Sequence, residues 1–348
     1  MINDGNFDEV WARHSDRPIL FVCGSGFDPR AFTVLARLRT ATSRRIDGWM
    51  IKLPENATDL AVRPLAQANR TRIETLVTES GGELTVQSLP NYNDPRSLGK
   101  LISRSFQESL ILDRYIEVVL EISAMPRSVY FPLVRGVLER AHSQDDGRSW
   151  DGDLHVAVCE NPEVDANVLE EGTTPMAPIG GFAGPSSERA KTTIWVPVLG
   201  ESASTRVKAL HEELAPDETC PVLPWPARDP RRGDRLMLEY RRLLFDEIRL
   251  EPRNVIYAAE RNPFDLYRTL GALYQRYLAS LKPLGSVSMV LSSHSSKLLS
   301  VGVLLTAYEH NLIVQHVSPG AYGLHGGDAD AQHHDEVYDI WLTGEPYR

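Results

Sequence analysis

Short apolar runs recur along this chain, and each is closed by glycine, proline, serine or charged residues before helical spacing begins. The first run, Ile19 to Cys23, leads into Gly24-Ser25-Gly26-Phe27-Asp28-Pro29-Arg30. Another, beginning at Val118, leads through Ser123 into Met125-Pro126-Arg127-Ser128, and a third ends at Leu291 before Ser292-Ser293-His294-Ser295-Ser296-Lys297. A buried strand, a polar turn and a helix repeated in this way build a parallel sheet, and the carboxyl edge of such a sheet is where ligands bind. The pattern therefore fixes where a site would lie more firmly than what it would bind.

The alternation extends over most of the chain. Strands are expected at Ile19–Cys23, Trp49–Leu53, Leu84–Leu89, Tyr115–Ile122, Leu154–Cys159, Thr193–Leu199, Cys220–Leu223, Val255–Ala259, Val287–Leu291 and Leu312–Val317. Helical spacing falls between them, as in Ala31–Ala41, Phe264–Leu281 and Ser296–His310. Residues 170–191 carry glycine and proline clusters without periodicity, which reads as a functional loop or a joint. The expected fold is α/β, with mostly parallel sheets, helices on both faces and two lobes. Residues 1–169 would form the first lobe, and residues 192–348 the second, with a flexible His-rich tail. More than eight strands without eightfold spacing argue against a barrel.

Bulk composition narrows the partners. The 348 residues hold 47 acidic and 37 basic side chains, a net charge of -10, which argues against a general nucleic-acid surface. One or two arginines and helix amides still suffice for a phosphorylated small molecule. No apolar run approaches a membrane span, and the acidic start lacks a signal-peptide pattern, so a cytoplasmic protein is expected. Cys23, Cys159 and Cys220 are too few and too scattered for a disulfide framework or a zinc site, and Cys23 and Cys159 read as core residues. Histidines 310, 316, 325, 333 and 334, interspersed with Asp328, Asp330 and Asp335, lack metal-ligand spacing. No metal and no cofactor is assigned.

Each polar turn admits two readings. Gly24, Ser25 and Gly26 permit a tight turn and close approach to a ligand, yet Pro29 stands where a dinucleotide loop needs a third small residue. Arg30 could meet a phosphate or pair with an acid; Asp28 could act as an acid–base group or cap a helix. Ser123, Arg127 and Ser128 could cradle an oxyanion, or be a helix cap beside a surface arginine. Ser293, Ser295, Ser296 and Lys297 stand at the mouth of an apolar helix, suited to anion capture, and His294 could serve a neighbouring serine as base. No nucleophile elbow surrounds it. Glu160, Glu201, Glu260 and Asn262 follow other strands. Trp225 could stack on a ligand, contact a partner or wrap a lobe.

This strand–loop–helix layout resembles Rossmann-type proteins that bind nucleotides or other phosphorylated small molecules. The resemblance covers most of the chain and implies a binding or sensing module, with Arg30, Arg127 and Lys297 meeting the ligand. A protein partner could be reached through the surface near Trp225 or Trp341. The alternatives are a hydrolase or transferase using His294 or Asp28, and a scaffold without chemistry.

Overall fold

The computed structural model describes residues 1–12, 17–54, 62–90, 95–108, 111–144, 149–171, 175–185, 192–281, 283, 285–317, 321–324 and 335–347. In chain order the first elements are α1 (Phe7–Trp11), β1 (Ile19–Gly24), α2 (Thr33–Ala41), β2 (Ile46–Lys52), α3 (Arg63–Glu79), β3 (Leu84–Ser88), α4 (Pro95–Glu108), β4 (Glu117–Glu121), α5 (Arg127–Ala141), β5 (Asp153–Glu160), α6 (Pro162–Asn167) and β6 (Val168–Glu171). There follow β7 (Ala177–Ala183), β8 (Thr192–Val198), α7 (Ser204–Leu214), β9 (Glu218–Thr219), β10 (Val222–Pro224), α8 (Arg232–Arg241), β11 (Ile256–Ala258), α9 (Pro263–Leu281), β12 (Val287–Ser293), α10 (Lys297–His310), β13 (Ile313–His316), β14 (Ala321–Leu324) and β15 (Glu336–Trp341). The chain divides into two units, Met1–Gly172 with Pro319–Arg348, and Thr173–Ser318.

The first unit is built on a sheet of order β15-β5-β4-β1-β2-β3, parallel except for β15. β1 is central and buried at every position, which is why its residues read as a continuous apolar run. Its two faces are covered by different helices. Ile19, Phe21 and Cys23 pack with Val34, Leu35 and Leu38 of α2 and with Ile73, Leu76 and Val77 of α3. On the other face Trp49 of β2 meets Phe106 of α4 edge-on at 5.0 Å between ring centres. Helices on both faces of a parallel sheet define a doubly wound α/β unit. β6 and β14 form a separate antiparallel pair.

The second unit repeats the plan. Its sheet runs β11-β10-β8-β12-β13-β7, with β9 pairing β8 just ahead of β10. Trp195, Leu223 and Val290 pack with Val207 and Leu210 of α7 and Leu236 and Tyr240 of α8. α9 and α10 pack against each other and against β12. When the parallel strands of each unit are counted in chain order, with β9 and β10 as one broken strand, both sheets read 3-2-1-4-5. In each, an antiparallel strand is added beside the fifth: β15 on β5, and β7 on β13. This is the order of a doubly wound α/β sheet.

The strands expected from apolar runs are present, with shifted ends. β2 begins earlier than expected because Asp47 is held inside by Arg45, the Tyr115 hydroxyl and the Glu83 amide. Residues 170–191 are not wholly irregular; they contain β7, short and glycine-containing, whose pairing to β13 sequence spacing does not reveal. The terminal residues Glu336–Trp341 had been grouped with the second half, and they pair instead with β5 of the first sheet. His325, His333, His334, Asp328 and Asp330 of the expected flexible tail lie outside the described residues. Asp335 accepts from Asn161 Nδ2 at 2.7 Å. Cys23 and Cys159 belong to the core of the first unit, where burial pushes both thiols well up.

Candidate functional site

In a sheet of order 3-2-1-4-5 the chain leaves the first strand in one direction and the fourth in the other, so a crevice opens beyond their carboxyl ends. In the first unit this switch point lies between the β1 and β4 turns. In the second it lies between the β8 and β12 turns. All thirteen sequence-nominated residues fall on three of these four turns or on the first helical turn that follows.

In the first unit the β1 and β4 turns pack directly against each other. A Cβ on Gly26 would stand 2.8 Å from the Ala124 carbonyl, and one on Gly24 would stand 2.8 Å from Met125 Cγ. The two glycines thus admit the neighbouring turn. Asn69 Nδ2 donates to the carbonyls of Gly26 and Asp28, and the Ser25 amide donates to Ile51. Asp28 caps the segment that follows, accepting from the Arg30 amide at 2.9 Å. It also pairs with the Arg30 guanidinium, which makes a second ion pair to Asp165 of α6 at 2.8 Å. Arg30 is buried, and although burial lowers its pKa, the two carboxylates outweigh that and hold it well above its ordinary value.

In the β4 turn Ser123 is held from within. Glu121, fully buried, accepts from the Ser123 amide at 2.6 Å. Ser123 Oγ in turn accepts from the Cys159 amide at 2.8 Å. A carboxylate already stands beside the amide expected to cradle an oxyanion. Arg127 and Ser128 lie in the first turn of α5, which starts several residues earlier than its apolar spacing suggests.

In the second unit the β8 and β12 turns are also in close contact. Gly200, after β8, lies so close to the β12 turn that a Cβ would come within 2.1 Å of the His294 carbonyl and 2.8 Å of Ser295 Cα. The His294 amide donates to Val198, fixing that turn to β8. Ser296 caps α10, its Oγ accepting from the Leu299 amide at 3.3 Å. α10 is buried along nearly its whole length, so its amide end and positive dipole are directed from a rigid, low-dielectric setting. Lys297, the first residue of α10, is only part-buried.

Strand alternation puts Ser292 and Ser293 on opposite faces of β12. Ser292 shares a face with Trp195, whose Nε1 donates to its Oγ at 3.1 Å, and His294 Nε2 lies 3.0 Å from the same oxygen. Ser292 is fully buried, so this serine–histidine pair positions a ring and does not present a nucleophile. Ser293 faces the side on which α9 and α10 pack. It is buried, and its Oγ has no hydrogen-bond partner among the described residues. A buried hydroxyl without a partner costs about 1–3 kcal/mol, and such groups mark places where structure serves something other than stability.

Sequence reading overlooked Gly200 and Glu121. Glu121 had a signal, an acid inside a run otherwise fit for a buried strand. Gly200 had none, since the group it accommodates is His294, far along the chain. Another cluster gathers acids that sequence could not pair: Arg232 bridges Glu201, at 2.7 Å, and Glu260. Burial raises the Glu201 carboxyl, but the Arg232 hydrogen bond and charge outweigh it and hold it below its ordinary 4.5. A lowered carboxylate pKa supplies stability above the ordinary value that is lost as pH falls through the lowered one. The stability gap between wild type and Arg232→Gln should therefore narrow in denaturant melts as pH drops below 4.5. A gap constant from about pH 6 to about pH 3 would contradict this linkage.

Among the described residues no group of three or more His, Cys, Asp or Glu could hold a metal ion, and no helix is long and apolar enough to cross a membrane. Fold and site together define a chain of two doubly wound α/β units, with polar turns at both switch points. No protein-family model matches it, and neither does any curated protein. Among solved structures it is similar to a putative universal stress protein from Pseudomonas aeruginosa UCBPP-PA14, at 12% identity over 88% of this chain and 94% of that one, with a TM-score of 0.23. It is also similar to a functionally unknown protein from Pseudomonas aeruginosa PAO1, at 12% identity over 88% and 93%, with a TM-score of 0.21. The fold assignment rests on the strand order.

Proposed function

We propose that the chain binds a phosphorylated small molecule, of nucleotide-like kind, at the switch point of its second unit. The binding groups are Ser293, Ser295, Ser296 and Lys297 with the first amides of α10, and His294 borders them. The observation that carries this reading is Ser293 Oγ, buried and without a hydrogen-bond partner among the described residues at the strand end that precedes α10. In the first unit Glu121 holds the Ser123 amide and Asp28 and Asp165 hold Arg30, so one ligand per chain is assigned to the second unit.

Specific binding raises the melting temperature by mass action, by about 2.7 kcal/mol of stability at a hundredfold excess over Kd. For units of this size that is a rise of several degrees. A panel of nucleotides, pyrophosphate and sugar phosphates should contain at least one compound that produces it. Lys297→Ala should remove most of the rise, and Ser293→Ala should reduce it. A panel without any rise, or one in which Lys297→Ala responds as wild type does, would sink the proposal.

A further inference from the structure

Ser292 makes two hydrogen-bond contacts, to Trp195 Nε1 at 3.1 Å and to His294 Nε2 at 3.0 Å. The side chain is completely buried, so water does not complete its bonding. An indole nitrogen is a donor only and never accepts. Among the described residues the hydroxyl hydrogen of Ser292 therefore has one acceptor, the Nε2 lone pair of His294. If Nε2 carried the ring proton, two donors would converge on the Ser292 oxygen and its own hydrogen would be buried unmatched. The ring nitrogen that accepts dictates which one carries the proton.

We propose that Trp195 and Ser292 form a positioning relay that fixes His294 as the neutral tautomer protonated at Nδ1, for donation to an anionic oxygen of the ligand. The proposal rests on the reading of the β12–α10 turn as an anion seat, and it adds the form in which histidine takes part. His294 then enters as a neutral N–H donor, leaving Lys297 as the cation of the turn. Trp195, anchored in the core with residues of α7 and α8, donates to the Ser292 oxygen. The relay is built from residues of β8 and β12, the two strands that flank the switch point.

The test is a two-bond proton–nitrogen correlation of the imidazoles in the nitrogen-15-labelled full chain, in neutral to mildly alkaline buffer. His294 is assigned by the signal missing from His294→Gln. The expected wild-type pattern is a protonated Nδ1 and an unprotonated Nε2. Ser292→Ala should shift the ring toward Nε2 protonation, and Ser292→Thr, which restores the hydroxyl, should bring the Nδ1 form back. A wild-type ring protonated at Nε2 overturns the relay, and that reading needs no variant to fold. In a parallel titration with pyrophosphate, Ser292→Ala should bind about tenfold more weakly, the change expected for one hydrogen bond to a charged group. Equal affinity of Ser292→Ala and wild type would overturn the ligand role of the relay. Nδ1 protonation in a wild type that ignores pyrophosphate would instead sink the anion seat and leave the tautomer assignment standing.

Discussion

Asp339→Ala should destabilise the first unit by about 1–3 kcal/mol, the cost of leaving buried hydrogen-bonding groups without their partner. Asp339 lies on β15, is fully buried, and accepts from Trp11 Nε1 at 3.1 Å. Both of its oxygens lie 2.9 Å from His155 Nδ1 on β5. The His155 ring sits between Trp11 and Trp341, 4.8 Å from each ring centre, so water cannot take over the lost contact. The backbone of Asp339 also exchanges hydrogen bonds with Ile2. One carboxylate thus ties residues near both ends of the chain to the same sheet. Asp339→Asn should cost less, because its amide oxygen can still accept from Trp11. Equilibrium denaturation followed by a probe in the first unit measures both. An Asp339→Ala midpoint within error of wild type would refute this assignment.

Gly200→Ala is the second large effect. Its new methyl would meet the His294 carbonyl at 2.1 Å and Ser295 Cα at 2.8 Å. Both are backbone atoms, so relief requires moving the β12 turn away from β8. Overpacking of this kind costs about 1–3 kcal/mol. The movement also carries Ser293, Ser295 and the start of α10 out of register, so phosphate affinity should fall with stability. Gly136 in α5 supplies the control, because a Cβ there would have nothing within 4 Å. Gly136→Ala should be neutral or stabilising by up to about 1 kcal/mol, as expected for relief of glycine's entropy in a helix. If both alanine variants melt alike, close packing of the β8 and β12 turns is not what Gly200 provides.

The sequence made local order legible and long-range pairing illegible, for physical reasons that particular residues illustrate. Ile19 to Cys23 and the run ending at Leu291 are read as strands because burial on both faces requires continuous apolar character. Their turns are read as carboxyl-edge loops because glycine, serine and proline break those runs abruptly. The antiparallel strand β15 is different: it returns to the first sheet after the whole second unit, and nothing in its spacing names β5 as its partner. Arg30 shows the same limit in the site. Its pairing with Asp28 is local and was one of the two readings open to it, whereas Asp165 reaches it from α6. Ser123 reads as a strand end awaiting an anion, but the Glu121 carboxylate is the group that accepts from its amide. Ser293 is nominated by its place before α10, and that its Oγ has no hydrogen-bond partner among the described residues emerges only from the folded chain.

Calorimetric titration of a nucleoside triphosphate into wild type, Lys297→Ala and Arg127→Ala tests most directly whether the β12–α10 turn binds phosphate. The account predicts a saturable heat at one ligand per chain in wild type, a loss of about tenfold or more in affinity for Lys297→Ala, and no change for Arg127→Ala. Undiminished binding in Lys297→Ala together with loss in Arg127→Ala would place the ligand in the first unit and contradict it.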